Sequence, residues 1–378
     1  MRVLLTMCVC CMVVGGLMAV NAQEAAWGTM TQWLAPIWEG DTMHGESVLF
    51  VQETPETRPK AALLFPAETI ISVIQTYTGM QYVEGKDFAL TEDKTGLVLP
   101  EGSRILSRTR EELYPPKDSP NSYPAKRDSD RHMLFGEGHY FHDQQVEVTY
   151  THKAGLWQER GAYVPAAATN ELVKTRAKLS AREPVTVILL GDSISAGGNA
   201  TGMNGAAPFV PSFGWLVAHG LRAQYGTPVT FKNFAVGGKA TPWGIEVAPE
   251  IAKEKPDLAI IAFGMNDASG RLDTPVYLAN TKTIMDSFRA TNPDTEFILV
   301  ATMTGNPEWT ASSYEHYEAY REGLKTLAGP GVAVADMTSM WEELLKHKEY
   351  VSFTGNGVNH PNDMGHRLYA QVILALLH

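Results

Sequence analysis

Ser193 follows Gly191-Asp192 directly after the apolar run Val185-Thr186-Val187-Ile188-Leu189-Leu190, so its hydroxyl stands where a buried strand ends and can project. A nucleophile belongs at such a place, fixed by the sheet behind it and open in front. The triplet alone is also ordinary turn or helix-cap chemistry, and Asp192 reads as a local turn stabiliser rather than a catalytic acid. A serine hydroxyl is a poor nucleophile until a base takes its proton. His360 is the best base candidate because it precedes Pro361-Asn362 at the entrance to a last helix, which Asn362 would cap. His219, His316, His347 and His366 lack that context and read as packing or capping groups.

Asn233-Phe234-Ala235-Val236-Gly237-Gly238, Gly264-Met265-Asn266-Asp267 and Val358-Asn359-His360-Pro361-Asn362 follow the serine in order, each just past an apolar run or just before the last helix-like segment. Four such sites in this order resemble the SGNH (GDSL) hydrolase superfamily, over about residues 184 to 378. The resemblance implies ester hydrolysis through an acyl-enzyme on Ser193, with His360 as base. It also implies an oxyanion hole formed by the backbone N–H groups of Ser193 and Gly238 and the side-chain amide of Asn266. Such donors are worth about 2.7–4 kcal/mol each when aimed at the developing charge. Glycine suits position 238 because a residue without Cβ allows close backbone approach.

The chain departs from the family where an aspartate usually lies three residues before the histidine. That position is Gly357, preceded by Asn356, and no acid occurs between Tyr350 and His360. The imidazole is therefore expected to be oriented by the Asn356 side chain, by a backbone carbonyl, or by an acid from elsewhere such as Asp363. A neutral orienter would support a Ser-His dyad with less imidazolium stabilisation.

The elements that must position these residues follow from the pattern. Apolar runs at 185–190, 230–236, 258–263, 296–303 and 332–336 alternate with helix-like segments near 213–225, 243–254, 276–290, 313–328 and 363–377. That alternation predicts a three-layer α/β/α fold, flavodoxin-like, with a parallel sheet over 184–378. Ligands bind beyond the carboxyl ends of such strands, where Ser193, Gly238 and Asn266 all fall. A short connector that reads as helical occupies 166–183. From 23 to 165 short β-type runs (47–51, 61–65, 96–99, 146–150) separated by turn signals predict a smaller antiparallel β-sandwich domain; only Glu68 to Thr78 could be read as a helix instead. Trp33, Trp38, Tyr140 and Trp157 read as core or interface residues, and His132, His139, His142 and His152 match no metal-ligand spacing.

Arg2, an uncharged apolar stretch from Val3 to Val20 and the exit Val20-Asn21-Ala22 have the form of a secretory signal over residues 1–22. Cys8, Cys10 and Cys11 all lie within it, so the mature chain is expected to have no thiol and hence no disulfide, cysteine nucleophile or Cys-ligated zinc. Its removal takes Arg2 and no acid, moving the formal charge from −11 to −12. An acidic surface disfavours nucleic acid and anionic membrane as partners. A β-sandwich ahead of an SGNH domain in an exported protein resembles bacterial carbohydrate esterases. The expectation is a secreted or periplasmic enzyme that needs no metal or organic cofactor and deacetylates a carbohydrate, without stable membrane insertion after signal removal. Lipid or simple acyl esters, acyl transfer to a sugar, and carbohydrate binding on an inactive hydrolase fold are the rival readings. The polar loop 196–211, with its four glycines and two asparagines, argues against a wide acyl tunnel.

Overall fold

The computed structural model describes residues 30–126, 128 and 130–378; the expected leader, with its cysteines, lies outside the described residues. In the C-terminal half, five parallel strands form one sheet: β11 (Val185–Gly191), β12 (Val229–Asn233), β13 (Leu258–Ala262), β14 (Glu296–Ala301) and β15 (Val332–Asp336), in the order β12-β11-β13-β14-β15. Strand β13, Leu-Ala-Ile-Ile-Ala, is buried throughout, as a strand covered on both faces must be. The covering helices are α1 (Val173–Ser180), α2 (Phe213–Tyr225), α3 (Thr241–Ile251), α4 (Thr274–Thr291), α5 (Tyr314–Leu327), α6 (Met337–Leu345) and α7 (Asp363–Leu377). Helix α6 was not anticipated from the sequence. The chain reverses its direction of travel across the sheet at β11, so the crevice beyond Gly191 is the topological switch point.

The N-terminal region holds the strands β1 (Thr42–Val48), β2 (Phe50–Gln52), β3 (Lys60–Ala62), β4 (Thr69–Gln75), β5 (Ala89–Leu90), β6 (Gly96–Val98), β7 (Ser107–Thr109), β8 (Ser122–Pro124), β9 (His132–Leu134) and β10 (Val146–Thr151). They form an antiparallel sheet β1-β10-β4, a second sheet β5-β6-β3-β2-β7, and the hairpin β8-β9. The second sheet is mixed, because β2 and β7 run parallel; the expectation of purely antiparallel pairing fails there. Thr69–Gln75 is a strand, as its isoleucines and valine favour. In β10, Val146, Val148 and Tyr150 are all buried.

The N-terminal region packs against the C-terminal half through α7 and the loop before it. Apolar residues of both regions, among them Trp33, Val48, Phe65 and Tyr150 with Ile188 and Leu374, belong to one continuous core. Asn362 Nδ2 donates to Ser47 Oγ at 2.8 Å and Gln145 Oε1 at 2.9 Å, and Gln145 Nε2 donates to the carbonyls of Val351 and Thr354, both at 2.9 Å. The Arg367 guanidinium donates to the Gly45 carbonyl. Lys348 pairs with Glu46, both side chains fully buried, while Glu46 also accepts from Tyr150 Oη at 2.5 Å and the Leu64 N–H at 2.9 Å. Burial pushes the Lys348 ammonium below its ordinary range, opposed by Glu46.

Removing one partner of a buried ion pair leaves the other charge uncompensated, which costs about 3–5 kcal/mol. Lys348→Met is expected to lose stability of that order in chemical unfolding, and combining it with Glu46→Gln should recover most of the loss.

Candidate active site

Strand β11 ends at Gly191, where an added Cβ would stand 2.3 Å from Ser195 Oγ and 2.4 Å from the Ala262 carbonyl oxygen. Only glycine lets the chain turn this sharply against β13. Asp192 then caps a helical turn, Ser193–Ala196, accepting from the Ile194 N–H at 3.0 Å, which leaves Ser193 as its first residue. Ser195 is buried and donates to Ala262 O at 3.2 Å, so only Ser193 faces the crevice. The Asp192 carboxyl is pushed up to about 7, first by burial and further by Asp267 nearby. It is a local cap, as expected from the sequence.

The structure brings Ser193 and His360 together: Ser193 Oγ lies 2.8 Å from His360 Nε2. The loop carrying His360 is built on Asn356, whose Oδ1 accepts from the N–H groups of Val358, Asn359 and His360 at 2.9, 3.0 and 3.1 Å. Asn356 therefore fixes the histidine backbone and does not bond the ring.

Neither proposed orienter reaches the imidazole. Asp363 is buried at the start of α7, where its two oxygens accept from the Thr201 N–H at 2.9 Å and Thr201 Oγ1 at 2.7 Å. His142 Nε2 lies 3.6 Å from the same carboxylate. Burial alone would push this carboxyl up, but His142 and Thr201 hold it below its ordinary value. Its work is to tie the loop after the serine to α7. The residue that meets His360 Nδ1 is Asn199, its Oδ1 only 2.6 Å away.

The Asn199 amide is fixed at both ends, because its Nδ2 donates to the Gly138 carbonyl of the N-terminal region at 2.8 Å. A carbonyl can only accept, so Nδ2 must face Gly138 and Oδ1 must face the histidine. The proton of the neutral imidazole then resides on Nδ1, and Nε2 offers its lone pair to Ser193. Asn199 holds φ at +61°, a left-handed conformation in which asparagine is several-fold enriched. His366 Nε2 donates to Gly198 O at 3.0 Å. Burial pushes the His366 imidazole down to about 4, so it is a neutral donor at ordinary pH. Sequence reasoning missed Asn199 and the place of His366 in this loop. The signal available for Asn199 was the Gly197-Gly198-Asn199 run directly behind the nucleophile turn.

Gly238 and Asn266 lie at the carboxyl ends of the flanking strands β12 and β13. A Cβ on Gly237 would stand 3.7 Å from Ser193 Cβ, placing this turn beside the nucleophile. Gly238 has φ +73° and open space where a side chain would project. Asn266 Nδ2 donates to Lys239 O at 2.9 Å, which ties it to the same turn. Asp267 Oδ1 accepts from the N–H and Oγ1 of Thr241 at 2.9 and 2.5 Å, anchoring the start of α3 beneath.

The N-terminal histidines disperse to separate partners: His132 to Ser122 Oγ, His139 to Asp143, His142 to Asp363 and His152 to the Lys153 carbonyl. Among the described residues no group of three or more His, Cys, Asp or Glu side chains could hold a metal ion, and no helix is long and apolar enough to cross a membrane.

The parallel five-stranded sheet, with Ser193 and His360 joined across its switch point, has the architecture of the SGNH hydrolase fold. Residues 189–368 match the GDSL-like Lipase/Acylhydrolase family. Among solved structures, a two-domain esterase (CEX) active on acetylated mannans is 20% identical, with a TM-score of 0.45. That match covers 56% of this chain and 54% of the esterase, so only about half the length of that relative is spanned. Axe2, an acetylxylan esterase from Geobacillus stearothermophilus, is 18% identical over 51% of this chain and 94% of its own, with a TM-score of 0.41. The lipase Lip_vut3 from a goat rumen metagenome is 17% identical over 51% of this chain and 97% of its own, with a TM-score of 0.42. Comparison with curated proteins gave no match.

Asn199→Ala removes the bond that selects the tautomer. Because general acid–base assistance contributes about 10²–10⁴ in rate, kcat is expected to fall on the order of 10²-fold with KM little changed. Steady-state kinetics on an activated ester check this; an equal loss in Asn356→Ala alone would place the orienter there instead.

Proposed function

We propose that this protein is a serine ester hydrolase that removes acetyl groups from carbohydrate. The observation that carries the reading is the continuous chain of bonds from Ser193 through His360 to Asn199 at the carboxyl edge of the sheet. As Ser193 Oγ attacks the ester carbonyl carbon, its proton passes to His360 Nε2 and the carbonyl π electrons move onto oxygen. The resulting oxyanion is met by the N–H groups of Ser193 and Gly238 and by Asn266 Nδ2, which would exchange the Lys239 carbonyl for the substrate. Collapse expels the sugar alcohol, which takes the proton from Nε2 and leaves an acetyl group on Oγ. Water, deprotonated by the same nitrogen, then releases acetate and restores the serine.

A polar environment supports a small acyl group on a polar alcohol. Asn199, Thr201 and Asn204 crowd the loop behind the serine, with Asn199 and Asn204 both donating to Gly138 O. The charged start, apolar stretch and Ala22 exit of residues 1–22 support an exported enzyme that meets its carbohydrate outside the cytoplasm.

Ser193→Ala is expected to abolish acetate release from an acetylated polysaccharide and p-nitrophenyl acetate hydrolysis while leaving unfolding unchanged; retention of more than about a tenth of wild-type turnover refutes the acyl-enzyme. Wild type should prefer acetyl over acyl chains of eight or more carbons, and higher kcat/KM on the long esters would make the protein a lipase.

Burial lowers the His360 imidazole from its ordinary value of 6.5, partly opposed by the field of Glu137. The neutral ring is the base, so a depressed value keeps the base available as pH falls. The acid limb of kcat/KM should therefore have its midpoint below 6.5.

A further inference from the structure

Gly357 occupies the place, three residues before His360, where a triad acid would stand. The structure explains why it is glycine: φ is +87°, and an added Cβ would lie 2.3 Å from the Leu134 carbonyl oxygen and 2.8 Å from the Phe141 ring. The N-terminal segment 134–141 fills the space an acid side chain there would need. The same segment is fastened on both sides of His360. Gly136 N–H donates to Asn356 O at 3.1 Å, on the loop that carries the histidine, and Gly138 O accepts from Asn199, which bonds its ring.

Between these two clamps sits Glu137, whose side chain is exposed and, among the described residues, takes no hydrogen bond or ion pair. We propose that Glu137 is a positioning residue that acts through His360, supplying from the N-terminal region the negative charge toward the imidazolium that the histidine loop lacks. The inference rests on the reading of His360 as the general base. The segment that excludes an acid from position 357 thus brings a replacement charge with it.

The other groups around the ring do not serve this purpose. Asn199 and Ser193 are neutral. His366 is held neutral by burial. Asp363 is engaged by Thr201 and faces His142. Asp192 is buried beneath the serine and pushed up to about 7. Lys239, on the oxyanion side, lies over the Trp243 ring with Nζ 5.7 Å from its centroid. Glu137 is the charge that opposes burial in setting the His360 proton affinity.

A carboxylate acting through space has three signatures: it works without contact, it survives shortening to aspartate, and it is screened by salt over a Debye length of about 10 Å at 0.1 M. The test is an NMR titration of the His360 ring in the full chain as wild type, Glu137→Gln and Glu137→Asp, at low salt and at about 1 M salt, paired with kcat/KM on p-nitrophenyl acetate. In Glu137→Gln the ring is expected to titrate at lower pH than in wild type and plateau kcat/KM to fall about three- to tenfold. Glu137→Asp should retain most of both, and high salt should bring wild type toward Glu137→Gln. An unchanged titration midpoint in Glu137→Gln overturns the proposal, as does an equal loss in the Asp and Gln variants. The titration reads the field whether or not the protein hydrolyses esters. Inactivity of wild type would therefore count against the esterase, and an unmoved midpoint against Glu137.

Discussion

Everything at this site depends on one side-chain amide with no freedom left. Asn199 offers one acceptor and one donor group, and the structure commits the first to His360 and the second to the Gly138 carbonyl. Because the Gly138 carbonyl can only accept, the amide cannot flip, and because it cannot flip, the histidine is held with its proton on Nδ1. A carboxylate would hold the ring by accepting through either oxygen, with no need for a second anchor. An amide needs that anchor, and here it comes from a different part of the chain. The N-terminal sheets are thus part of the active-site scaffold, which accounts for a contact surface with the hydrolase sheet that carries buried ionic and polar pairs as well as apolar side chains.

The same arrangement sets the electrostatics. Full charge is kept away from direct contact with the imidazole: its hydrogen-bond partner is neutral, His366 behind the loop is neutral, and Asp192 beneath the serine is pushed toward protonation. A base in such surroundings stays deprotonated to lower pH than a solvated histidine. The counterpart, in the proposed reaction, is weaker stabilisation of the imidazolium that forms during acyl transfer. A dipole from Asn199 and a through-space charge from outside the loop are gentler supports than a buried aspartate. In the proposed reaction they suit a base that releases its proton readily to the leaving alcohol.

Much of the hydrolase half is legible in the chain because its signals are local. Apolar runs ending in Gly-Asp-Ser, Gly-Gly and Gly-Met-Asn-Asp mark where strands give way to loops, and a parallel sheet with helices between its strands necessarily gathers those ends at one edge. Ser193 and His360 could therefore be singled out from context, Gly238 and Asn266 from the resemblance to the SGNH family, and Asn362 as the cap of the last helix. Helix α6 escaped because it follows β15 at once, with no turn residues to separate the two patterns. The parallel pairing of β2 with β7 escaped because short strands carry alternation but no record of their partners.

What the sequence could not disclose is which groups meet across the two halves. Reading along the histidine loop pointed to Asn356, beside the position where an acid is missing, to a backbone carbonyl, or to an acid from elsewhere such as Asp363. In the folded protein Asn356 turns to the loop backbone and Asp363 to Thr201, while Asn199 meets the ring from the far side of the serine. The absent acid at 357 was visible in the sequence, but its cause, the Leu134 carbonyl and Phe141 ring against Gly357, was not. Strand ends and caps are written in neighbouring residues, whose propensities act over a few positions. The tautomer of a histidine is decided by the one acceptor that tertiary packing brings within bonding distance of Nδ1, and nothing local specifies which residue that will be.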